Sequence, residues 1–542
     1  MELSLLLTLC ASDPMPLHRQ LYQQIRDAIL TGNLKPQMRL PASRQLAKTL
    51  NVSRTTVVQS YDQLISEGYL QTKPGAGTFV CSQIPDGLIF TSQTTANVPV
   101  ADRLDADPSD LFAVSSAQTA SGLSNPLERL SAYGTRLTTI ADYDSGADSP
   151  LSFRYGLPDL SLFPVRQWRR LLNRQATKNQ QWMGYNVEPM GHVGLRREIS
   201  QYISEIRAVR CQPEQILMTG GTQQALSLMV QILMDVGEVI AVEDPGYLSA
   251  KRIFSAGGAT VVPVPVDDDG IRVNEPGGLA DIAADNSQPT PRLVYVTPSH
   301  QFPTGVLMTL SRRLALLHWA RQNGALIIED DYDSEFRYSG SPIPALQGLD
   351  EHNCVLYVGT FSKVMFPGLR LGYVVVPPAL IDVFRRAKWL CDRQCPLIEQ
   401  AALAEFIKGG YLAQHIRRMR SVYDRRRRSL VDSLQQAAPG VNIPGDASGL
   451  HILARFQRER QGNETLLTQA LIDRAQELGV GLFSAGPHYW IADRTRLGRH
   501  AVEKEIKTSD CELIFGFGNI SEANIKSAIA RISPTLWPVS GN

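Results

Sequence analysis

At 542 residues and 43% hydrophobic content, the chain is too long for one domain of the usual ~100–200 residues and long enough for several, each with its own core. A formal net charge of +1 excludes a global field as the mark of a nucleic-acid partner, so charge has to be located segment by segment. Seven cysteines, odd in number and scattered, exclude a disulfide framework and point to reduced thiols in a cytoplasmic protein. Cys391 and Cys395 have no second pair beside them, so they read as ordinary thiols and no metal site is expected.

In chain order, residues 3–9 are leucine-rich like an export signal, but they lack a basic n-region and fall far short of a membrane span. They are expected to pack on protein as an N-terminal arm, with no membrane partner. Leu17, Leu21, Ile25 and Ile29 then recur every four residues up to Gly32, which predicts an amphipathic helix. A short second helix follows Pro41, with Leu46 and Leu50 on one face. A third starts near Ser53, with Val57, Tyr61, Leu64 and Ile65 inward and Arg54 and Thr55 on the outer side of its first turn. The run from Gln71 to Val80 reads as a glycine-containing hairpin. Residues 14–80 hold eight Lys/Arg against three acids, while residues 81–150 hold three Arg against nine acids. A basic head is thus followed by an acidic connector.

Three strings in this head, Leu40-Pro41-Ala42-Ser43-Arg44-Gln45-Leu46-Ala47, Val52-Ser53-Arg54-Thr55-Thr56-Val57 and Gly75-Ala76-Gly77-Thr78-Phe79-Val80, together closely resemble the GntR-type winged helix-turn-helix. The resemblance implies a mainly α DNA-binding domain over residues 1–80 whose partner is a double-stranded DNA operator. It further implies that Arg44, Ser53, Arg54 and Thr55 contact the duplex and that Gly75 and Gly77 let the wing approach the minor groove.

Residues 81–150, rich in Ser, Thr, Ala and Asp, read as a linker, with a short helix within 123–137 ordered against another domain. Beyond it, short apolar runs alternate with helical patterns. The runs at 216–219, 239–242, 293–296, 325–328 and 355–358 read as buried strands of a mainly parallel α/β sheet. This domain spans residues 151–542, with a large part to about 385 and a small part from about 386. The arginine-rich run 417–428 reads as a helix with Ile416, Met419, Val422, Tyr423 and Leu430 inward and its arginines on a solvated or dimer-facing side.

Candidate chemistry falls at the strand ends, where ligands sit in such sheets. Lys363, in Gly359-Thr360-Phe361-Ser362-Lys363, pairs a Schiff-base amine with a phosphate-sized cationic anchor at Arg370, which points to pyridoxal 5'-phosphate. Gly221-Thr222-Gln223 opens a helix whose free N–H groups suit the phosphate, together with Thr360, Ser362 and Arg370. Asp330 is placed to keep a pyridine nitrogen protonated, Tyr332 to bond the phenolic oxygen, and Tyr247 to stack on the ring.

With these residues the body resembles fold-type I, class I/II aminotransferases, and its union with the GntR-like head resembles the MocR/GabR family of bacterial transcriptional regulators. The resemblance implies cofactor roles for Lys363, Asp330, Tyr332, Tyr247, Arg370 and the Gly221-Thr222-Gln223 turn, and a head-to-tail homodimer. Two departures stand out. Phe302 replaces the Asn that bonds the cofactor ring in many aminotransferases, and Ile514 replaces the Arg of the carboxylate-gripping Arg-x-Gly-Phe. Ser249 stands where some of these regulators use a second Arg, which disfavours γ-aminobutyrate as effector. Three readings stay open. One is a regulator whose small-molecule effector, an amine or a B6 vitamer, modulates DNA binding without physiological turnover beyond a residual half-reaction. The others are an aminotransferase with an appended DNA-binding domain, and a vitamin B6 sensor whose effector is the cofactor.

Overall fold

The computed structural model describes residues 7–10, 15–73, 76–82, 126–140, 149–178, 180–185, 188–287, 289–340, 343–445, 447–457, 464–490 and 510–536. They fall into two compact units, one within Met1–Gly122 and one within Leu123–Asn542.

In the first unit α1 (Leu17–Leu30), α2 (Ser43–Leu50) and α3 (Arg54–Ser66) precede an antiparallel ribbon of β1 (Leu70–Lys73) and β2 (Gly77–Val80). The four-residue repeat of α1 buries Leu21, Ile25 and Ile29, while Leu17 stays half-buried. Between α2 and α3 the chain turns through Asn51 at φ 53°, a left-handed conformation that Asn tolerates better than most residues. Ser53 caps α3, its hydroxyl accepting from the Thr56 amide at 3.1 Å, so the exposed Arg54 and Thr55 stand on a fixed first turn. Ile65, expected inside, is half-buried. Ser60 takes the inner position, and its hydroxyl donates to the His18 carbonyl at 2.7 Å, tying α3 to α1. Leu7 of the N-terminal arm is buried in this core, while residues 3–6 lie outside the described residues.

The second unit includes a short helix at Ala132–Leu137, inside the stretch expected to link domains, and Arg136 docks it by donating to the Ala256 carbonyl at 2.8 Å. A two-residue strand, β3 (Leu151–Ser152), follows. The main strands are β4 (Ile216–Thr219), β5 (Val239–Asp244), β6 (Thr260–Asp267), β7 (Gly270–Ile271), β8 (Leu293–Val296), β9 (Leu326–Asp331), β10 (Val355–Thr360) and β11 (Gly372–Val375). Among the described residues these eight form one sheet in the order β4-β11-β10-β9-β8-β5-β6-β7. Neighbours from β6 through β10 pair in parallel, and β11 lies antiparallel between β10 and β4.

The apolar runs expected as strands are β4, β5, β8, β9 and β10. β6 and β11 are additions, since Pro263 and Pro265 break the apolar run of one and Gly372 opens the other. Strand alternation builds two cores: Leu217, Ile240, Leu293 and Leu356 pack under the helix Thr222–Leu233, and Ala241, Val294, Ile327 and Val355 under the helix Leu310–Asn323.

Towards the C-terminus, β12 (His451–Gln457), β14 (Phe483–Ser484) and β15 (Asp510–Gly516) form a smaller antiparallel sheet, and β13 (Val480–Gly481) pairs with β3. The arginine-rich run lies on the helix Tyr411–Ala437 with Ile416, Met419, Tyr423 and Leu430 buried as expected. Arg417, Arg418, Arg420, Arg425 and Arg428 are exposed as expected, but the run is not solvated throughout. Arg426 is buried and donates to Asp159 at 2.6 Å and to the Gly518 carbonyl at 2.5 Å, and Arg420 reaches the Glu335 carbonyl at 2.8 Å. The run therefore holds the two parts of the body together.

Candidate functional site

At the carboxyl end of β9, period-two alternation separates three consecutive acids. Glu329 accepts from the Leu346 and Gln347 amides, each at 2.8 Å. Asp331 accepts from Arg207 Nε at 2.8 Å and from the Tyr357 hydroxyl at 2.6 Å. Asp330 points the other way, into a cavity of about 990 Å³. Its Oδ2 accepts from the Tyr295 hydroxyl at 2.7 Å, and its Oδ1 is buried with no partner. Burial pushes this carboxyl up to about 7, because an ionised oxygen without a donor is costly in an apolar site.

Lys363 enters the same cavity from the segment after β10, its Nζ donating to the Gly156 carbonyl at 2.7 Å. Burial lowers its pKa, against the opposing pull of Asp333 and Asp330; the neutral amine needed of a nucleophile is thereby favoured. Arg370 lies over Gly221, where an added Cβ would press on the guanidinium at 3.2 Å from Nη2 and where a φ of +105° favours glycine. Thr222 starts a helix with no side-chain cap, whose first-turn N–H groups suit an anion. Thr360, Ser362 and Gln223 complete the wall. Tyr247, which caps the helix Leu248–Gly257, and Tyr332 line it too. Every cofactor residue expected from sequence except Gly221 lines this one cavity, and Gly221 lies against the Arg370 guanidinium.

Both departures have structural counterparts. Phe302 lies among the rings of Tyr155, Tyr247, Tyr332, His451 and His488 and brings no donor to the cavity. Ile514 is fully buried in an apolar cluster with Phe302, Leu453 and Ala485. Ser249 lines the cavity.

Sequence reasoning missed Tyr295, which holds Asp330, and a buried polar network of His300, Asp333 and His451. His300 Nδ1 lies 3.0 Å from Asp333 Oδ1 and 3.1 Å from the Tyr332 hydroxyl, which donates to the His300 carbonyl at 2.8 Å. Burial, with His300 nearby, holds His451 well below its ordinary value, and its Nε2 faces the Pro303 carbonyl at 3.3 Å. The three side chains bring ligand-type atoms within 4.8 Å of one another. His300 and Asp333 already bond each other, so the group reads as a hydrogen-bonded network rather than a cation site. The only local signal was His300 beside Gln301-Phe302-Pro303, too little to single it out.

In the first unit, Arg44, Ser53, Arg54, Thr55 and Gly77 are all exposed. Arg44 sits in the first turn of α2, the next three at the start of α3, and Gly77 opens β2 at φ +112°, where a Cβ would come 3.1 Å from Arg39 Nε. Gly75 lies outside the described residues.

Residues 17–80 match the model for bacterial regulatory proteins of the gntR family, and residues 155–483 that for aminotransferase class I and II. The probable rhizopine catabolism regulatory protein MocR of Rhizobium meliloti is 38% identical over 446 residues, covering 82% of this chain and 82% of that protein. The chain belongs to the MocR family of transcriptional regulators. Among other MocR-type relatives, the pyridoxine biosynthesis transcriptional regulator PdxR of Corynebacterium glutamicum is 31% identical over 525 residues, 97% of each chain. The body is similar to the Pyrococcus horikoshii kynurenine aminotransferase, with a TM-score of 0.64 and 25% identity over 77% of this chain and 98% of that one.

The aminotransferase family of which this MocR-type body is a member binds pyridoxal phosphate, and the residues present fit that group. Asp330 offers a bare buried oxygen for a protonated ring nitrogen, and Gly221 with Arg370 leaves a cradle that any Cβ would crowd. Until such a partner arrives, the buried Asp330 destabilises the fold. Its folded pKa of about 7 exceeds the unfolded value near 3.8, so between those pH values the folded state holds a proton that the unfolded state has lost. Stability of the cofactor-free protein therefore falls as pH rises through that window. Asp330→Asn is expected to stabilise cofactor-free protein at pH 8 by on the order of a few kcal/mol, read as a higher melting temperature, while weakening cofactor binding. Equal melting temperatures of variant and wild type at pH 8 would show that the carboxyl is not strained.

Proposed function

We propose that this chain is a cytoplasmic regulator that reads small molecules through the cofactor cavity and modulates binding of a DNA operator by its winged helix. The observation that carries this reading is that the cavity keeps the lysine, the ring-nitrogen carboxylate and the anion cradle but lacks a cation at position 514. Bound there, pyridoxal phosphate supplies an electrophilic carbon that captures primary amines. Lys363 would hold that carbon, Asp330 a proton on the ring nitrogen, Tyr247 a ring face, and Thr222 and Arg370 the phosphate. Freed by an incoming amine, the Lys363 amine would donate to the Gly156 carbonyl in the field of Asp333, the contact it makes in this structure. That change of charge and contact is a local event from which a signal can start.

Three further parts of the proposal have their own support. Exposed Tyr185 and Leu390, with 78% and 77% of their surfaces open, flank Arg393, which stacks on Tyr185 at 4.7 Å and on Trp389 at 5.6 Å. An aromatic-arginine patch of this kind suits a head-to-tail homodimer interface. All seven cysteines are free, and a DNA partner supports a cytoplasmic location. Phe302 and Ile514 disfavour sustained transamination of amino acids. A second reading, in which pyridoxal phosphate is itself the effector, is favoured by the apolar surroundings of Ile514.

The test is a titration of a promoter fragment at fixed salt with cofactor-loaded protein, alone and with a panel of amines and B6 vitamers. One compound is expected to change the affinity by about 5- to 150-fold, the usual range of allosteric coupling. If DNA affinity never changes and steady multiple turnover is found with an amino donor and a keto acid, the chain is an enzyme with an attached DNA-binding domain.

A further inference from the structure

The helix Leu248–Gly257 starts directly after Tyr247, the ring face proposed for the cofactor, and turns one side to the cavity. Leu248, Ser249 and Arg252 share a helical face by their spacing and all three line the cavity, while Ala250, Lys251 and Phe254 are buried on the opposite side. Helical side chains lean towards the N-terminus of their helix, so Arg252 leans back over Leu248 and the short Ser249, towards Tyr247. Four other buried or half-buried arginines of this unit, Arg207, Arg312, Arg426 and Arg455, are each held by a carboxylate. Among the described residues Arg252 makes no hydrogen bond or ion pair, and the ionisable side chain that feels its charge is His488, whose protonation it opposes. Asp330 and Asp333 are the only acids among the described residues that line the cavity, and both are engaged elsewhere, Asp330 with Tyr295 and Asp333 with His300 and the Leu450 amide. A guanidinium thus borders the cavity without a counter-charge, while Ile514, where a cation is missing, is sealed in an apolar cluster.

We propose that Arg252 binds a carboxylate of the effector, so that the effector is a primary amine that also carries an acid, lying with that acid towards the helix Leu248–Gly257 rather than towards Ile514. The inference rests on the reading that an amine is captured at Lys363. A guanidinium fork matches a carboxylate in two parallel hydrogen bonds, and a partly desolvated site makes such a pair stronger than it is in water. Amine and acid are then gripped by different walls, the amine by the segment after β10 that carries Lys363 and the acid by the helix that carries Arg252. The separation of those walls selects among amino acids by the distance between their two charged ends, and an amine without an acid leaves Arg252 unsatisfied.

The experiment titrates full-length, cofactor-loaded protein with matched pairs of amines, from propylamine with β-alanine to hexylamine with ε-aminocaproate, and follows the shift of the visible cofactor band. Wild type is expected to bind the amino acid of at least one pair about 10- to 150-fold more tightly than its alkylamine, the contribution of a hydrogen-bonded charge pair. Arg252→Gln is expected to remove that advantage while keeping affinity for the alkylamines within about twofold, since only the partner of the acid is lost. Should Arg252→Gln not fold, Arg252→Met, which keeps an unbranched stem without the charge, is read in the same way. An advantage that persists in the variant overturns the proposal, because the acid is then held elsewhere. So does a variant that no longer shows the cofactor band, which would assign Arg252 to the cofactor. A band shifted equally by both members of every pair in wild type overturns the role of Arg252 alone. If no amine of either kind shifts the band, capture of amines at Lys363 fails and the proposal falls with it.

Discussion

Lys363→Ala is expected to abolish covalent attachment of pyridoxal phosphate. Wild-type protein should show a visible band that borohydride removes, leaving a fixed mass adduct on Lys363, and the variant should show neither. The cavity would survive the change, because Lys363 bonds only the Gly156 carbonyl while Asp330 and Arg370 are held by other elements. Weak, reversible binding is therefore the expected residue of function. The nearest rival is Lys251, but its buried Nζ is spent on the His488 carbonyl at 2.6 Å and on Asp244 at 3.3 Å. A reducible adduct that persists in Lys363→Ala, wherever it maps, would contradict the assignment.

The second large effect belongs to the winged helix. Arg54→Ala should cost about 1–3 kcal/mol of discrimination between operator and non-operator DNA, roughly 5- to 150-fold, if the side chain reads a base edge. The loss should come without unfolding, since Arg54 is exposed and the cap of α3 is made by Ser53 and Thr56. Affinity for both DNAs should fall steeply with salt, because phosphate contacts dominate it. A variant that weakens binding equally on all sequences and lowers the salt slope by about one would place Arg54 on a phosphate. Unchanged affinity and slope would remove α3 from the interface.

Much of this molecule was legible before its fold was known, for identifiable reasons. The strands β4, β5, β8, β9 and β10 announce themselves as apolar runs because a sheet covered on both faces needs them. The residues at their carboxyl ends then gather into one cavity by topology alone. What escaped was either interrupted or non-local. Pro263 and Pro265 hide β6, and the short antiparallel β11 pairs on one side with β4, distant in sequence. The partnership of His300 with Asp333 and His451 joins loop, strand end and a separate sheet, so no spacing rule reveals it. Arg426 looked like one more solvated charge in a basic run, and only the position of Asp159, on a different segment, shows it to be buried and paired. Asp330 is the instructive intermediate case. Strand alternation alone sets it apart from Glu329 and Asp331, but which face meets the cavity is known only once the sheet is assembled.

The central claim is that the cofactor cavity and the winged helix are coupled. Coupling is reciprocal: whatever factor an effector imposes on DNA affinity, DNA must impose on effector affinity. The most direct measurement is the dissociation constant of the active amine or vitamer, followed by the visible band, with and without a saturating operator fragment at one salt concentration. The predicted result is a change by the same factor, and in the same sense, as the effector produces in operator binding. Identical effector affinity with and without DNA would contradict the account and leave the two units as independent binders on one chain.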